Sequence, residues 1–237
     1  MQPVLCVPKA CVTRALGGKL GHGIHPLPAS AIQMTIEPHL QYRPLDELLE
    51  DGTFVQLMPY IVTPRTVVDP ETKKVDIFLP TYEINPDNEK VKPMMAFTSH
   101  ILKEDAAYGE EINPDTEEPD LQFANTVYKA IHRTLGQQMG VRVTDGNINH
   151  GEMQIAATQM VVVDHSNDAS NKRLALLYLA MIPPGLDAYA LETNVQNLGY
   201  YSVQTLHDRP TYMQYDGTSQ LVIDQLMNNI IQHNSQV

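Results

Sequence analysis

The sequence predicts an α+β fold in a chain of 237 residues, 43% of which are hydrophobic. Three runs of strand-forming residues precede a long amphipathic helix, three more follow it, and a second helix closes the chain. This order of elements is typical of an α+β sandwich. The chain is long enough for one large domain, or for one domain with an extension, to bury a hydrophobic core.

The first 52 residues predict an N-terminal extension of mixed character, which leaves the main domain at 53–237. Residues 16–23 are rich in glycine, which favours a loop. Pro44 suits the start of a short helix over 45–49, and Asp51-Gly52 suits its end.

The strands before the central helix are predicted from β-branched and aromatic residues. Pro59 lies inside the first of them and favours an edge strand or a bulge, since proline cannot donate to a strand ladder. A turn is predicted at 69–72, where Asp-Pro-Glu-Thr occurs. The acidic segment 103–119 is interpreted as an exposed loop. The three predicted strands are 54–62, 75–82 and 92–100.

The central helix is predicted over 119–138, because its apolar residues recur at helical spacing. Pro119 suits a first helical position, and Gly140 suits the residue beyond the end. The stripe consists of Ala124, Val127, Tyr128, Ile131 and Leu135.

Three further strands and a last helix complete the predicted domain. The helix is expected over 219–231, with Asp216 or Thr218 as its N-terminal cap. The strands are expected at 155–163, 173–182 and 196–206.

Composition excludes several classes of protein. The net charge of -12 argues against a protein that coats nucleic acid in general, because an acidic surface repels phosphate backbones. We find no run of 18 apolar residues, so no membrane span is expected. The N-terminus lacks the order of a secretory signal, and Cys6 and Cys11 are interpreted as reduced thiols, which predicts an intracellular, cytoplasmic protein.

Residues 133–141 read Arg-Thr-Leu-Gly-Gln-Gln-Met-Gly-Val. This run resembles the Nudix signature, which consists of Gly, five residues, Glu, seven residues, then Arg-Glu-U-x-Glu-Glu-x-Gly-U, where U is a bulky aliphatic residue. The flanking segments resemble the family in order over 54–231. The positions that match are Arg133, Leu135, Gly140 and Val141. The positions that depart are Pro119 for the first glycine, and Asn125, Thr134, Gln137 and Gln138 for the glutamates.

The resemblance implies an α/β/α sandwich with a mixed sheet, and its departures imply altered chemistry. Nudix hydrolases cleave nucleoside diphosphate derivatives with bound divalent cations, and Mg²⁺ prefers anionic oxygen ligands. Amides and a hydroxyl supply only neutral oxygens. The expected protein is therefore a catalytically degenerate Nudix-fold module for binding, interaction or assembly, with no cofactor. Its Asn- and Gln-rich composition would suit a phage- or virus-encoded protein.

The alternative is a Mg²⁺-dependent pyrophosphohydrolase of nucleoside diphosphate derivatives that uses relocated carboxylates. The two hypotheses remain open at the level of sequence. Metal ligands under the alternative would come from Glu104, Asp105, Glu110, Glu111, Glu152 and Glu192.

Candidate ligand-binding residues follow from the same resemblance. With its family glutamate absent, Arg133 would pair with an acidic loop residue or meet a phosphate directly. We expect a protein partner or a homo-oligomer, with a nucleotide as the other type of ligand. The candidate positions are His100, Arg133, Thr134, Gln137, Gln138 and Tyr201.

Overall fold

A computed structural model describes most of the chain, and the α+β class is confirmed. The described residues are 2–84, 94–112, 119–143, 153–166, 172–183, 185–191, 195–208 and 215–236.

Strands dominate the described residues, which form fourteen strands, six α-helices and two short 3-10 helices. The helices are α1 Lys9–Ala15, α2 Ala29–Thr35, α3 Leu45–Glu50, α4 Phe123–Gln138, α5 Val203–His207 and α6 Gly217–Asn234, with 3-10 turns at Glu37–His39 and Lys103–Asp105. The strands are β1 Pro3–Pro8, β2 Gly23–Pro26, β3 Gln41–Pro44, β4 Phe54–Val62, β5 Arg65–Val68, β6 Val75–Ile84, β7 Ala96–Thr98, β8 Tyr108–Ile112, β9 Pro119–Leu121, β10 Met139–Val143, β11 Gln154–Val163, β12 Arg173–Met181, β13 Leu186–Ala190 and β14 Val195–Ser202.

The chain divides into two compact units, the first of which comprises residues 1–60, 98–135 and 159–177. Its largest sheet has the strand order β2-β11-β12-β4-β1-β3, and β7 pairs with β4 off this path. Strand β1 pairs antiparallel with both β3 and β4. Val4 to Val7 are at most 1% exposed, so this unit builds its core around a strand from the start of the chain.

That strand changes the interpretation of the N-terminal residues. The run Val-Leu-Cys-Val at 4–7 is apolar without alternation, as expected for a strand buried on both faces. Its partners come from elsewhere in the chain, so local patterning did not identify it. The boundary at 52/53 stays a prediction, but residues 3–8 belong to the large sheet, and 16–23 form a turn followed by the start of β2.

The second unit comprises residues 61–97, 136–158 and 178–237. It contains a three-stranded sheet in the order β14-β6-β5 and a two-stranded sheet of β10 and β13. Helices α5 and α6 pack against β6. Asp216 caps α6 as predicted, because its carboxylate accepts from the backbone N–H groups of Thr218 and Ser219.

Four predicted details are wrong for identifiable reasons. Strand β4 lies between β12 and β1, so the edge-strand alternative for Pro59 is wrong, and the bulge stays a prediction. Helix α4 begins at Phe123 rather than at the predicted Pro119, because Pro119 belongs to strand β9. The last predicted strand ends at Ser202, whose hydroxyl caps α5.

The fourth correction concerns the acidic segment 103–119, which was interpreted as an exposed loop. Its described residues include a 3-10 turn and strands β8 and β9, which pair with each other. Asp105 is only 3% exposed. The acidic residues predicted exposure to solvent for this segment. The carboxylate of Asp105 is nevertheless buried, because the positive charge of Arg133 on α4 compensates it.

Candidate functional site

Helix α4 carries most of the signature-like residues. Its buried residues lie at helical spacing and include Val127, Ala130, Ile131, Thr134 and Leu135. Three residues of the predicted stripe, Val127, Ile131 and Leu135, are buried as expected, whereas Ala124 and Tyr128 are exposed. Tyr128 packs edge-on against His132. Leu135, a position that matches the signature, is a core residue.

Arg133 is held by what we call the Arg133 clasp, formed by Arg133, Asp105 and the backbone carbonyl of His100. Its Nε donates to Asp105 Oδ1 at 2.8 Å and its Nη2 donates to Asp105 Oδ2 at 2.8 Å. Nη2 also donates to the carbonyl of His100 at 2.7 Å. Two parallel N–H···O bonds to one carboxylate are the strongest geometry available to an ion pair.

The carboxylate of Asp105 is buried and accepts three hydrogen bonds within the protein. Besides its bonds with Arg133, Oδ2 accepts from the backbone N–H of Leu102 at 2.8 Å. Hydrogen bonding from Asp105 raises the pKa of Arg133, and burial opposes this shift. Of the two outcomes open for Arg133, pairing with an acidic residue of the preceding segment is the one observed.

Two further hydrogen bonds, next to the Arg133 clasp, hold the segment before β8 against helix α4. The backbone N–H of Ala107 donates to Thr126 Oγ1 at 3.0 Å, and Lys129 Nζ donates to the carbonyl of Ala106 at 3.1 Å. Upstream, the N–H of Leu5 in β1 donates to the carbonyl of Ile101 at 2.9 Å. Arg133 therefore connects α4 to the sheet of the first unit.

His100 follows β7 and is half-buried. Its Nδ1 contacts the side-chain nitrogen of Gln56, which is 3% exposed on β4. Burial lowers the pKa of His100, and the positive charges of Arg173 and Arg133 lower it further. The amide of Gln56 thus favours a neutral imidazole with its proton on Nε2.

Gln56 was missed by the sequence reading. Its signal was available, since it is the one amide in the apolar run 54–62. A buried amide needs a hydrogen-bond partner, which predicts a polar group beside it.

Thr134 stands where the signature has a glutamate, and it is completely buried. Its hydroxyl donates to the carbonyl of Ala130 at 2.7 Å and contacts the hydroxyl of Ser99. Both contacts lie within the first unit, so this hydroxyl stabilises α4 against the segment after β7. A glutamate would not fit this position without burying a charge.

Gln137 and Gln138 lie in the second unit, at the end of α4. Gln137 is exposed, and Gln138 is half-buried with its backbone carbonyl accepting from the N–H of Leu191 at 2.8 Å. The side chains of Gln137 and Gln138 are neutral amides, and the hydroxyl of Thr134 is already hydrogen-bonded. None of these side chains is a carboxylate, which Mg²⁺ prefers as a ligand from protein.

The carboxylates that the alternative hypothesis names as metal ligands differ in their exposure, and some of them lie outside the described residues. Glu104 is 59% exposed at 3.9 Å from Arg133, and Glu110 is exposed on β8. The side chain of Glu111, and Glu152 and Glu192 altogether, lie outside the described residues. Within the described ranges, no group of three His, Cys, Asp or Glu side chains is placed to hold a metal ion.

Gly140, another matched position, has a packing role. It lies opposite Tyr189 in the β10–β13 pair. A Cβ at residue 140 would stand 2.3 Å from the Tyr189 ring, so the aromatic ring covers the glycine. The side chain of Val141 is outside the described part of the structure.

Tyr201 is half-buried on β14, opposite Leu79 of β6, and does not belong to the Arg133 clasp. Its neighbour Tyr200 donates to the carbonyl of Thr63 at 3.2 Å and accepts from the N–H of Ala188 at 3.1 Å. Burial raises the pKa of Tyr200. Tyr200 is therefore engaged inside the second unit.

A second arginine pair, which the sequence reading also missed, lies in this unit. Arg65 Nη1 donates to Asp187 Oδ1 at 3.1 Å, and the guanidinium lies 5.2 Å from the ring centres of Phe78 and Tyr200. No local pattern could reveal a pair separated by 122 residues.

Comparison with known proteins yields a structural likeness only. No family model and no curated protein matches the sequence. The crystal structure of Tm1382, a candidate Nudix hydrolase, is similar at a TM-score of 0.63 and 14% identity, and the match covers 96% of this chain and 100% of that chain. A MutT/Nudix family protein from Enterococcus faecalis matches at a TM-score of 0.30 and 11% identity, covering 75% of this chain and 62% of that chain.

At this level of identity the likeness to Tm1382 concerns architecture, and the lower TM-score supports no argument. Among the described helices, none combines the length and apolarity needed to cross a membrane. The order of strands around α4 and the full-length match lead to one conclusion: the chain has a Nudix-like fold.

Proposed function

We propose that this protein is a catalytically degenerate Nudix-fold module that acts by binding a partner rather than by hydrolysis. The observation that carries the proposal is Thr134, which is fully buried where a metal-binding glutamate would stand. The neighbouring Gln137 and Gln138 add no negative charge. A divalent cation placed along this part of α4 would lose its water ligands without gaining anionic ones.

The Arg133 clasp supports the same proposal. An arginine free to bind phosphate would keep its donors open, whereas Arg133 is 18% exposed and is already bonded to Asp105 and a carbonyl. The interactions that remain at the former catalytic helix thus contribute to stability. A protein partner, with a nucleotide as the other type of ligand, is consistent with a domain that retains its fold and loses its metal face.

Hydrolysis assays test this proposal. We expect no turnover of a panel of nucleoside diphosphate derivatives with Mg²⁺ or Mn²⁺ above the rate of a heat-denatured control. Turnover that falls on Glu110→Gln but persists in Gln138→Ala would establish the relocated-carboxylate hydrolase instead. Gln138→Ala is the matched control because it changes a neutral side chain on the signature helix.

A further inference from the structure

The three-stranded sheet of the second unit has β5 as an edge strand. Strand β5 is the last strand of the order β14-β6-β5, and within the described part of the chain it pairs only with β6. Val67 and Val68 are 46% and 53% exposed. Since neighbouring residues of a strand point to opposite faces, both faces of this edge expose an apolar side chain.

The backbone register defines which groups of β5 are free. Asp69 donates its N–H to the carbonyl of Lys74, so its backbone faces β6. The direction of the N–H and C=O groups alternates along a strand, which turns those of Thr66 and Val68 away from β6. Val75, opposite Val68, agrees with this register, because its N–H and C=O bond to the side chain of Asn234 at 3.0 and 3.1 Å.

Prolines limit the free edge on both sides. Pro64 and Pro70 carry no N–H, so a partner strand finds its outward donors only at Thr66 and Val68 between them. An antiparallel copy of β5 centred on Val67 places Thr66 opposite Val68 of the other copy, and the reverse. All four outward N–H and C=O groups on each copy are then used, giving four hydrogen bonds across the interface.

Charge selects the same register. With Val67 opposite itself, Arg65 lies opposite Asp69 of the other copy and on the same face of the extended sheet. Asp69 Oδ1 accepts from the N–H groups of Glu71 and Thr72, and the carboxylate is exposed to solvent, where a second cation can reach it. These backbone bonds lower the pKa of Asp69 and keep its carboxylate ionised. Arg65 Nη1 donates to Asp187, and its Nη2 has no hydrogen-bond partner among the described residues, so it could donate to this second carboxylate.

The surface beside this edge is a groove of mixed character, lined by both apolar and polar side chains. Its volume is about 520 Å³, and its lining includes both valines together with Val75, Met227 and Ile230. A second copy seated on β5 would cover the open side of this groove. The two-fold symmetry of such an interface makes each copy contribute the same patch.

We propose that two copies of this chain associate through antiparallel pairing of their β5 strands, centred on Val67. The inference rests on the interaction role proposed above, for which it names the partner. Hydrolysis assays do not depend on the oligomeric state, so a failure of either proposal can be recognised separately.

Disulfide trapping tests the register directly. In the proposed pairing the two copies of residue 67 form a non-hydrogen-bonded pair with Cα atoms about 4.5 Å apart, within the range of a disulfide. Val67→Cys is therefore expected to yield a covalent dimer under mild oxidation. Val68→Cys is the matched control: it is at least as exposed, but its two copies would be about 8 Å apart, beyond disulfide reach.

The native thiols do not interfere with this experiment. Cys6 and Cys11 are buried, and burial raises the pKa of Cys6 to about 11. Equal cross-linking of the two cysteine variants would overturn the proposal, because random collision does not distinguish adjacent exposed residues.

Sedimentation velocity on the full chain gives the second measurement. We expect a concentration-dependent dimer that Thr66→Pro weakens by at least about tenfold, since it removes one intermolecular donor from each copy and no intrachain bond. Asp69→Asn should weaken it less, because the amide keeps the turn while removing the charge. Specific association is expected to have a Kd in the micromolar range, so a protein that stays monomeric at about 100 times that concentration would overturn the proposal. A monomer that binds only an extended foreign peptide at β5 would overturn it as well.

Discussion

Two arginine–aspartate pairs, one in each unit, show how the same residue types are used differently. Arg133 makes two bonds to Asp105 and a third to a carbonyl, and its side chain is 18% exposed. Arg65 makes one bond to Asp187 between two aromatic rings, and its side chain is 39% exposed. The first pair is more buried and makes three hydrogen bonds, whereas the second is half-exposed and makes one.

This difference has a consequence for function. Of these two arginines, the one at the signature position, Arg133, is the less exposed and makes more hydrogen bonds within the protein. The arginine outside the signature lies beside an open strand edge. Binding capacity in this protein is therefore better sought in the second unit than along the buried face of α4.

Arg133→Ala should produce the largest effect. It leaves the carboxylate of Asp105 buried without its cation, which costs about 3–5 kcal/mol of the free energy of unfolding. Urea denaturation measures the loss. In a double-mutant cycle, Arg133→Ala with Asp105→Ala should cost clearly less than the sum of the single changes. A loss below about 1 kcal/mol for the single variant would mean that the pair behaves like an exposed one.

Thr134→Glu, which restores a residue of the signature, should destabilise the protein by at least about 3 kcal/mol. The reason is that position 134 is fully buried, and its hydroxyl is bonded to Ala130. Gln137→Glu is the matched control, since its side chain is exposed, and it should stay within about 0.5 kcal/mol of the wild type. Equal stability of the two variants would show that residue 134 can turn to solvent.

Arg65→Ala should cost less than Arg133→Ala, about 2 kcal/mol. Water can reach Asp187 once the half-exposed guanidinium is removed, and the contacts with Phe78 and Tyr200 are lost. The same denaturation experiment, run beside Arg133→Ala, compares the two pairs. The comparison between the units fails if Arg65→Ala proves the more damaging change.

The smallest effect is expected from the titration of His100. Because its folded-state pKa lies below the ordinary value of 6.5, the unfolded chain binds a proton first as the pH falls. Stability is therefore fully present above about pH 6.5 and declines as the pH falls toward the lowered pKa. His100→Gln should lose less stability than the wild type between about pH 7 and pH 5, by thermal unfolding at each pH. A steeper loss in the variant would reverse the sign of this argument.

The sequence predicted what depends on local pattern. Helix α4 and its buried stripe, the turn after β5 and the cap at Asp216 all follow from spacing and residue type. For Arg133 the sequence left two outcomes open, a phosphate contact or pairing with an acidic residue of the preceding segment, and the structure shows the pairing with Asp105.

What the sequence did not predict depends on contacts between distant segments. Strand β1 is placed by β3 and β4, and its short apolar run has no period that would distinguish a buried strand from a buried helix segment. The acidity of 103–119 concealed the burial of Asp105, since only the tertiary structure brings Arg133 to it. The burial of Thr134 likewise depends on Ser99, which lies 35 residues away.

Manganese titration followed by NMR tests the central claim most directly. Mn²⁺ accelerates the relaxation of nuclei close to it, so a bound ion would broaden the backbone amide signals of the residues around it. With one equivalent of Mn²⁺ added, we expect no selective broadening at Thr134, Gln137 and Gln138. Selective broadening of those three signals, with cleavage of a nucleoside diphosphate derivative in the same sample, would contradict the loss of the metal face.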